Sequence, residues 1–386
     1  MKIVVVGPTY PFRGGIAHYT TLLVRALREA GHDTRFYSFV RQYPRWLFPG
    51  KTDRDPSSAA LRVECEYILD PINPLTWWRL YRKIRADQPD LLLLQWWVPY
   101  YTPFLTAMSY AIKRHTPIPL LYICHNVIPH DGGGMLDRRF AHSVLHRGDA
   151  FIVHSDQDRQ HLETLLPGAT IAKMRLPTYA DVAQSSTTDP THARAALGIA
   201  SDCPVLLFFG FVRPYKGLEY LLQAMPLILQ QRRVQLLVVG EFWVDVSFYE
   251  QYLREVGISH AVTLINRYVP NEDLPRYFEA ADVVVLPYVS ATQSAVVQLA
   301  FGFGKPVITT RVGGLHEVVQ DGVNGLIVPP QDAPALAQAV LRFFDQQLGP
   351  AMAAQARQTA TARDFSWQDL VRCIEQLEAD LTRRKE

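Results

Sequence analysis

Short β-branched or leucine-rich runs alternate with amphipathic stretches throughout this sequence, and few folds accept that rhythm. The first half reads "KIVVVG", an amphipathic Ala17–Ala30, "DTRFYSF", and then "LLLLQW", "PLLYICHN" and "AFIVHS". Strands that alternate with helices pair in parallel, and the crossover helices cover both faces of the sheet. A doubly wound α/β domain is expected over residues 1–183. Around Ala183–Pro190 the chain becomes small and polar, "AQSSTTDP", as joining segments do. Beyond it the rhythm restarts: "PVLLFFG", helix 217–231, "VQLLVVG", helix 247–256, "VTLI", helix 271–280, "DVVVLPY", a helix from 294 and "PVITT". This predicts a second Rossmann-like domain over 184–366. The apolar helix within 367–386 fits that sheet poorly and is expected to cross back onto the first domain. Open α/β sheets bind ligands outside the carboxyl ends of their strands, so two such domains facing one another make an interdomain cleft lined by strand-end loops.

Composition narrows the function. With 386 residues and 48% apolar content the chain can bury two cores. Its 39 Lys and Arg against 37 Asp and Glu leave a net charge of +2, without the excess that marks a nucleic-acid binder. Cys65, Cys124, Cys203 and Cys373 show no C-x-x-C spacing, which suggests neither zinc nor a disulfide framework and fits a reducing cytoplasm. The apolar run in "MKIVVVGPTY" is too short for a signal-peptide core. Leu91–Ile112 carries no formal charge and is long enough to span a bilayer, but Gln95, Pro99, Pro103 and the tyrosines divide it into strand, loop and helix. No transmembrane segment is expected.

The strand-end loops carry the chemistry. In "FFGFVRPYKGLEYLL" Arg213 and Lys216 stand near the start of a helix, where two cations beside free backbone N–H groups suit a diphosphate that gains charge as it leaves. A solvated basic turn is the plain alternative. In "SATQSAVVQLAFGFGKPV", Thr292, Gln293 and Ser294 fall at a helix start and can cap it while the dipole faces a phosphate; Gln298, one turn in, could reach sugar hydroxyls. "GPTYPFRGGIAHYTTLL" is a glycine loop opening a helix, yet neither G-x-G-x-x-G nor a P-loop, and Gly14 and Gly15 let backbone approach a ligand. His125 and Asn126 end the strand "PLLYICHN"; a hydrogen-bonded structural histidine is the alternative to a catalytic one, and the spacing to His130 is not that of a zinc site. Asp156 and Asp158 read as first-turn acids behind a Ser155 cap rather than as metal ligands. The loop "RQYPRWLFPGKTDRDPS" mixes Trp46, Leu47 and Phe48 with basic residues, which suits an amphiphilic acceptor or an anionic membrane face met through residues 41–51, or a loop packed on its own domain.

As an ordered set these motifs resemble the family-4 retaining glycosyltransferases of the GT-B fold. The set comprises the Gly-Gly loop with "IAHY", the histidine of "YICHN", a G-x-x-x-P-x-K-G turn, "ADVVVLPY" and "GKPVITTRVGGLHEVVQDGVNGLIV". The resemblance implies a nucleotide-diphosphate sugar held mainly by the second domain and a carbohydrate, lipid-linked or small acceptor on the first. Arg213 and Lys216 would grip the diphosphate without a metal or cofactor. Gly14 or Gly15 would lie near a phosphate, and His125 near the anomeric carbon. Arg267, Tyr268, Thr292, Gln293, Ser294 and Gln298 would serve the donor, and His18, Tyr19, Trp46 and Asn126 the acceptor. A cytoplasmic monomer or weak dimer, at the inner face of the membrane if the 41–51 loop engages it, completes the expectation. Two departures stand out: Phe211 replaces the arginine that usually follows the turn glycine, and Ala291 and Leu299 occupy the positions of the family's paired glutamates. A silent nucleotide- or glycan-binding relative and a nucleotide-sugar epimerase or hydrolase are the rival readings.

Overall fold

In the computed structural model, which describes residues 1–44, 46–48, 50–58, 61–129, 134–179 and 189–384, the apolar runs are parallel strands and the chain forms two units. The first comprises Met1–Pro56, Ala60–Arg175 and Ser366–Glu386, and the second Ser57–Ala59 and Leu176–Phe365. The expected 183/184 boundary lies outside the described residues.

The first unit holds strands β1 (Lys2–Val6), β2 (Asp33–Phe39), β3 (Glu66–Leu69), β4 (Leu91–Trp96), β5 (Leu120–Cys124), β6 (Ala150–Val153) and β7 (Ile171–Lys173). They form one seven-stranded sheet in the order β3-β2-β1-β4-β5-β6-β7. Helices α1 (Gly15–Glu29), α2 (Pro74–Asp87), α3 (Thr102–His115), α4 (Met135–Leu145) and α5 (Asp156–Leu165) connect them. β1, β4, β5 and β6 are apolar on both faces because helices cover both, so Leu91–Leu94 and Leu120–Ile123 are wholly buried. Leu91–Ile112 is strand, a 3-10 turn at Pro99–Tyr101 and the start of α3; among the described residues no helix is long and apolar enough to cross a membrane. Ser155 caps α5 as its position suggested, its hydroxyl accepting from Asp158 N at 3.0 Å.

The second unit repeats the arrangement. After α6 (Pro190–Ala196) come β8 (Val205–Phe209), α7 (Leu218–Leu229), β9 (Gln235–Val239), α8 (Val246–Val256), β10 (Val262–Ile265), α9 (Leu274–Ala280) and β11 (Val283–Leu286). Then follow α10 (Ala295–Gly302), β12 (Val307–Thr310), α11 (Leu315–Val318), β13 (Gly325–Val328), α12 (Ala333–Asp345) and α13 (Gly349–Ala360). The six-stranded sheet runs β10-β9-β8-β11-β12-β13, the same doubly wound order displaced along the chain. Ser57 and Ser58 join this unit through hydrogen bonds: Asn271 N donates to Ser57 Oγ at 2.9 Å, and Ser58 N and Oγ donate to Glu272 Oε1 at 2.9 and 2.8 Å.

The last helix, α14 (Trp367–Arg383), packs on α1 in the first unit. Its apolar positions Leu370, Ile374, Leu377 and Leu381 recur at helical spacing and are buried, and His32 Nε2 lies 3.0 Å from Glu375 Oε1. β3, β7 and β13, each at an edge of its sheet, escaped the sequence reading.

Candidate functional site

In a doubly wound sheet the strand order reverses between the first and fourth strands, and the loops that leave those two strands diverge to opposite faces and open a crevice. In the second unit that point lies between β8 and β11. The β8 loop carries Arg213 and Lys216, and the β11 loop carries Tyr288 through Ser294. Lys216 sits at the end of a 3-10 turn, Pro214–Lys216, that opens onto α7. Gly217 closes the turn at φ 65°, and a Cβ there would stand 2.0 Å from the carbonyl oxygen of Pro287, so only glycine lets the turn rest against the end of β11. Val289 N donates to Tyr215 O at 2.8 Å and fixes the two loops together.

The cation is held across this junction. Lys216 Nζ donates to Tyr288 Oη at 2.7 Å and lies 4.4 Å from the Tyr288 ring centre, while Tyr288 Oη is 3.4 Å from Ser294 Oγ. Burial lowers the Lys216 pKa and the nearby Arg213 charge lowers it further; burial raises that of Tyr288. An ammonium group so placed gains from an anion that restores its charged form. Ser294 stands at the start of α10, but its side chain makes no cap hydrogen bond, which corrects the capping expectation: the hydroxyl turns to Tyr288 instead.

Arg213 extends along an aromatic shelf. Its guanidinium lies 5.1 Å from the Tyr215 ring centre and 5.4 Å from that of Trp243, and Phe211 packs on Trp243 at 4.6 Å and on Tyr268 at 6.1 Å. These half-buried rings come from the ends of β8, β9 and β10. Arg267 is engaged locally, donating to Asp273 Oδ2 at 2.8 Å and Tyr277 Oη at 3.1 Å. Thr292 is buried and its carbonyl accepts from Gly314 N at 2.9 Å; Gln293 beside it is half-buried. Gln298 is fully buried, and neither atom of its side-chain amide has a hydrogen-bond partner among the described residues. Ala291 and Leu299 put a methyl and an isobutyl group where the resemblance expects carboxylates.

The first unit has its reversal between β1 and β4. Gly14, at φ 108°, begins α1 with open space where a Cβ would stand, and Gly15 is exposed. His125 follows β5, and its Nε2 lies 2.9 Å from Oε1 of Gln95 on β4; Gln95 Nε2 donates to Thr20 Oγ1 at 2.7 Å, which donates to Ile16 O. An amide oxygen only accepts, so this chain commits the proton to His125 Nε2 and leaves Nδ1 as the acceptor nitrogen of the neutral ring. Burial, and secondarily His154, push the His125 pKa well below the usual histidine range. Tyr19 is 1% exposed and lies edge-on to His125 at 4.7 Å, to His154 at 5.3 Å and to Trp367 at 5.2 Å, which makes it a packing partner of His125. His18 Nε2 lies 3.3 Å from Asp55 Oδ2, and Asn126 is half-buried.

Trp46 is 83% exposed, whereas its loop is anchored from within: Tyr101 donates to Gln42 O at 3.0 Å and Trp97 to Tyr43 Oη at 3.2 Å. Asp156 and Asp158 fall in the first turn of α5, as expected; beyond that, Asp158 accepts from Val127 N at 2.9 Å and Asp156 pairs with Lys173 at 2.7 Å. His130 lies outside the described residues. Among the described residues no three His, Cys, Asp or Glu side chains group as a metal site.

Sequence reading overlooked Tyr288, Trp243 and Gln95. Trp243 had a signal, an aromatic closely following the apolar strand in "VVGEFW"; Tyr288 is 1% exposed, within the same apolar cluster as Leu286 and Val297, so in sequence it reads as a core residue. Gln95 had one too, as the single amide in "DLLLLQWW", since a buried polar group requires a partner.

Residues 14–174 match the family described as glycosyl transferase 4-like domain, and residues 203–346 the family described as glycosyl transferases group 1. A D-inositol 3-phosphate glycosyltransferase of Saccharomonospora viridis is 30% identical over 236 residues, 58% of this chain and 54% of that protein. An uncharacterized glycosyltransferase of Methanocaldococcus jannaschii is 34% identical over 39% of this chain and 38% of its own length. The chain thus spans about half, or less, of the length of these relatives. Among solved structures, sucrose-phosphate synthase from Thermosynechococcus elongatus superposes with a TM-score of 0.75 at 22% identity over 100% of both chains. HepE of Anabaena in complex with UDP does so with 0.75 at 19% identity, covering 98% of this chain and 100% of its own.

Proposed function

We propose that this chain, whose two units have the GT-B fold, is a retaining, metal-independent glycosyltransferase. It moves a sugar from a UDP- or GDP-sugar to a glycan, a lipid-linked saccharide or a small acceptor. The observation that carries this reading is the Lys216–Tyr288–Ser294 chain at the β8–β11 reversal, with Arg213 one turn away. As the bond between the anomeric carbon and the phosphate oxygen breaks, charge gathers on the departing diphosphate, and the two preorganised cations stabilise it there. The acceptor oxygen bonds to the anomeric carbon on the face the diphosphate leaves, and its proton passes to the departing phosphate oxygen. His125 is the residue of the first unit that this reading assigns to the sugar. Phe211, Trp243 and Tyr268 offer faces for the base. The likeness to a UDP complex supports trying the uridine donor first.

Calorimetric titration with UDP, GDP, ADP and CMP tests the donor site. One nucleotide binds the wild type, and Lys216→Ala weakens that binding and cuts turnover by on the order of 100-fold with the fold intact. Wild-type turnover in that variant would sink the assignment. The missing carboxylates at Ala291 and Leu299 favour a second reading, a silent nucleotide-binding relative, which is distinguished by tight nucleotide binding with no sugar released to any acceptor or to water.

A further inference from the structure

Right-handed crossovers that advance in one direction along a sheet lay their helices on the same face. α2 (β3 to β4), α3 (β4 to β5) and α4 (β5 to β6) all advance in that sense, and α2 packs beside α3 and α3 beside α4. They form one helical layer of the first unit, and its outward side is unusual in two ways.

It exposes large apolar side chains in register. On α2 Leu75 is 67% and Trp78 56% exposed; on α4 Leu136 is 65% and Phe140 42% exposed. Between α3 and α4 runs an open groove of about 710 Å³ lined by Pro103, Ala107, Tyr110, Leu136 and Phe140. The apolar positions 103, 107 and 110 on α3, and 136 and 140 on α4, recur at helical spacing on faces turned away from the core.

The same layer is cationic. α2, α3 and α4 together carry eight lysines and arginines against two aspartates, in a chain whose overall charge is only +2. Asp87 accepts from Tyr37 Oη at 2.6 Å, while Lys83 and Lys113 pair with Glu66 and Asp149. Arg82 lies over the Trp78 ring at 4.8 Å and Arg147 over the Tyr110 ring at 5.6 Å, so apolar and cationic groups are interleaved rather than segregated.

We propose that the α2–α4 face is a docking surface for an anionic lipid bilayer. Nucleic acid would match the charge but offers nothing to Leu75, Leu136 and the apolar groove. A bilayer interface takes both: tryptophan, tyrosine and apolar side chains seat at the headgroup level while arginines meet lipid phosphates. No residue of 41–51 lines this groove, and the face requires nothing of the sugar-transfer site, so its test is read without a transfer assay.

The full chain is sedimented with vesicles of phosphatidylcholine mixed with phosphatidylglycerol and with vesicles of phosphatidylcholine alone. The wild type partitions onto the mixed vesicles and is released as salt rises. The triple variant Arg82→Glu, Arg114→Glu, Arg139→Glu, all exposed positions, loses on the order of 100-fold in partitioning, from roughly five-fold per cation. Trp78→Ser with Phe140→Ser also weakens it, at an unchanged melting temperature, and Trp46→Ser leaves it as in the wild type. Equal binding to both vesicles, no binding to either, undiminished binding by the triple variant, or a loss on Trp46→Ser as large as that of the helix variants would each overturn the proposal.

Discussion

Gln95 shows how much a single buried amide can decide. It turns His125 from one of two tautomers into a defined one, with the proton on Nε2. Gln95→Leu is therefore expected to lower kcat by roughly 10-fold or more with little change in the donor KM, and nitrogen NMR of the His125 ring should show mixed tautomers. Gln95→Glu sets a carboxylate against the ring and should raise the His125 pKa, visible as a titration entering the neutral range. A neighbouring histidine makes a stability prediction. Burial lowers the His154 pKa from 6.5 to about 4. The unfolded chain thus binds more protons than the folded one between those values, so the stability this group allows is complete above pH 6.5 and falls as pH drops toward 4. The loss amounts to roughly 3 kcal/mol. His154→Gln should flatten melting temperature against pH across that window, which thermal melts would measure. Lys216 and Arg213 were legible in the sequence because they share one short turn. Tyr288, which holds Lys216, was not, because 72 residues separate the pair.

At the scale of elements, helix starts were the most readable features, since a cap is a local bargain between one side chain and a free N–H. Ser155 accepts from Asp158 N and donates to Asp158 Oδ2 at 2.9 Å. Ser155→Ala should cost about 1 kcal/mol, read as a lower melting temperature, and an unchanged melt would mean that the carboxylate alone sustains the first turn. Ser294 shows the limit of such reading. It stands at a helix start in sequence, yet a phenol brought close by the adjoining strand end takes its hydroxyl. Edge strands β3 and β7 were hidden for a different reason: pairing on one side only, they need few apolar residues, and Glu66, Tyr67 and Lys173 are exposed.

At the scale of the molecule, α14 is the return of the chain's end to its first unit. It buries Leu370 and Ile374 completely against α1 and its surroundings, contacts that stabilise by about 1.5–3 kcal/mol for each side chain. Removing residues 366–386 should lower the first unit's melting transition by scanning calorimetry and leave that of the second unchanged; a matching shift in both would show that their unfolding is coupled. The amino-acid sequence by itself determined the two parallel α/β sheets and the basic turn, because periodicity, composition and adjacent side chains are properties of neighbours along the chain. Only the tertiary structure decided that Lys216 meets Tyr288, that Gln95 commits the proton of His125, and that α2, α3 and α4 share one cationic, apolar face. Those pairings depend on the order in which strands join a sheet, which brings distant residues within hydrogen-bond range and leaves no trace in the local pattern.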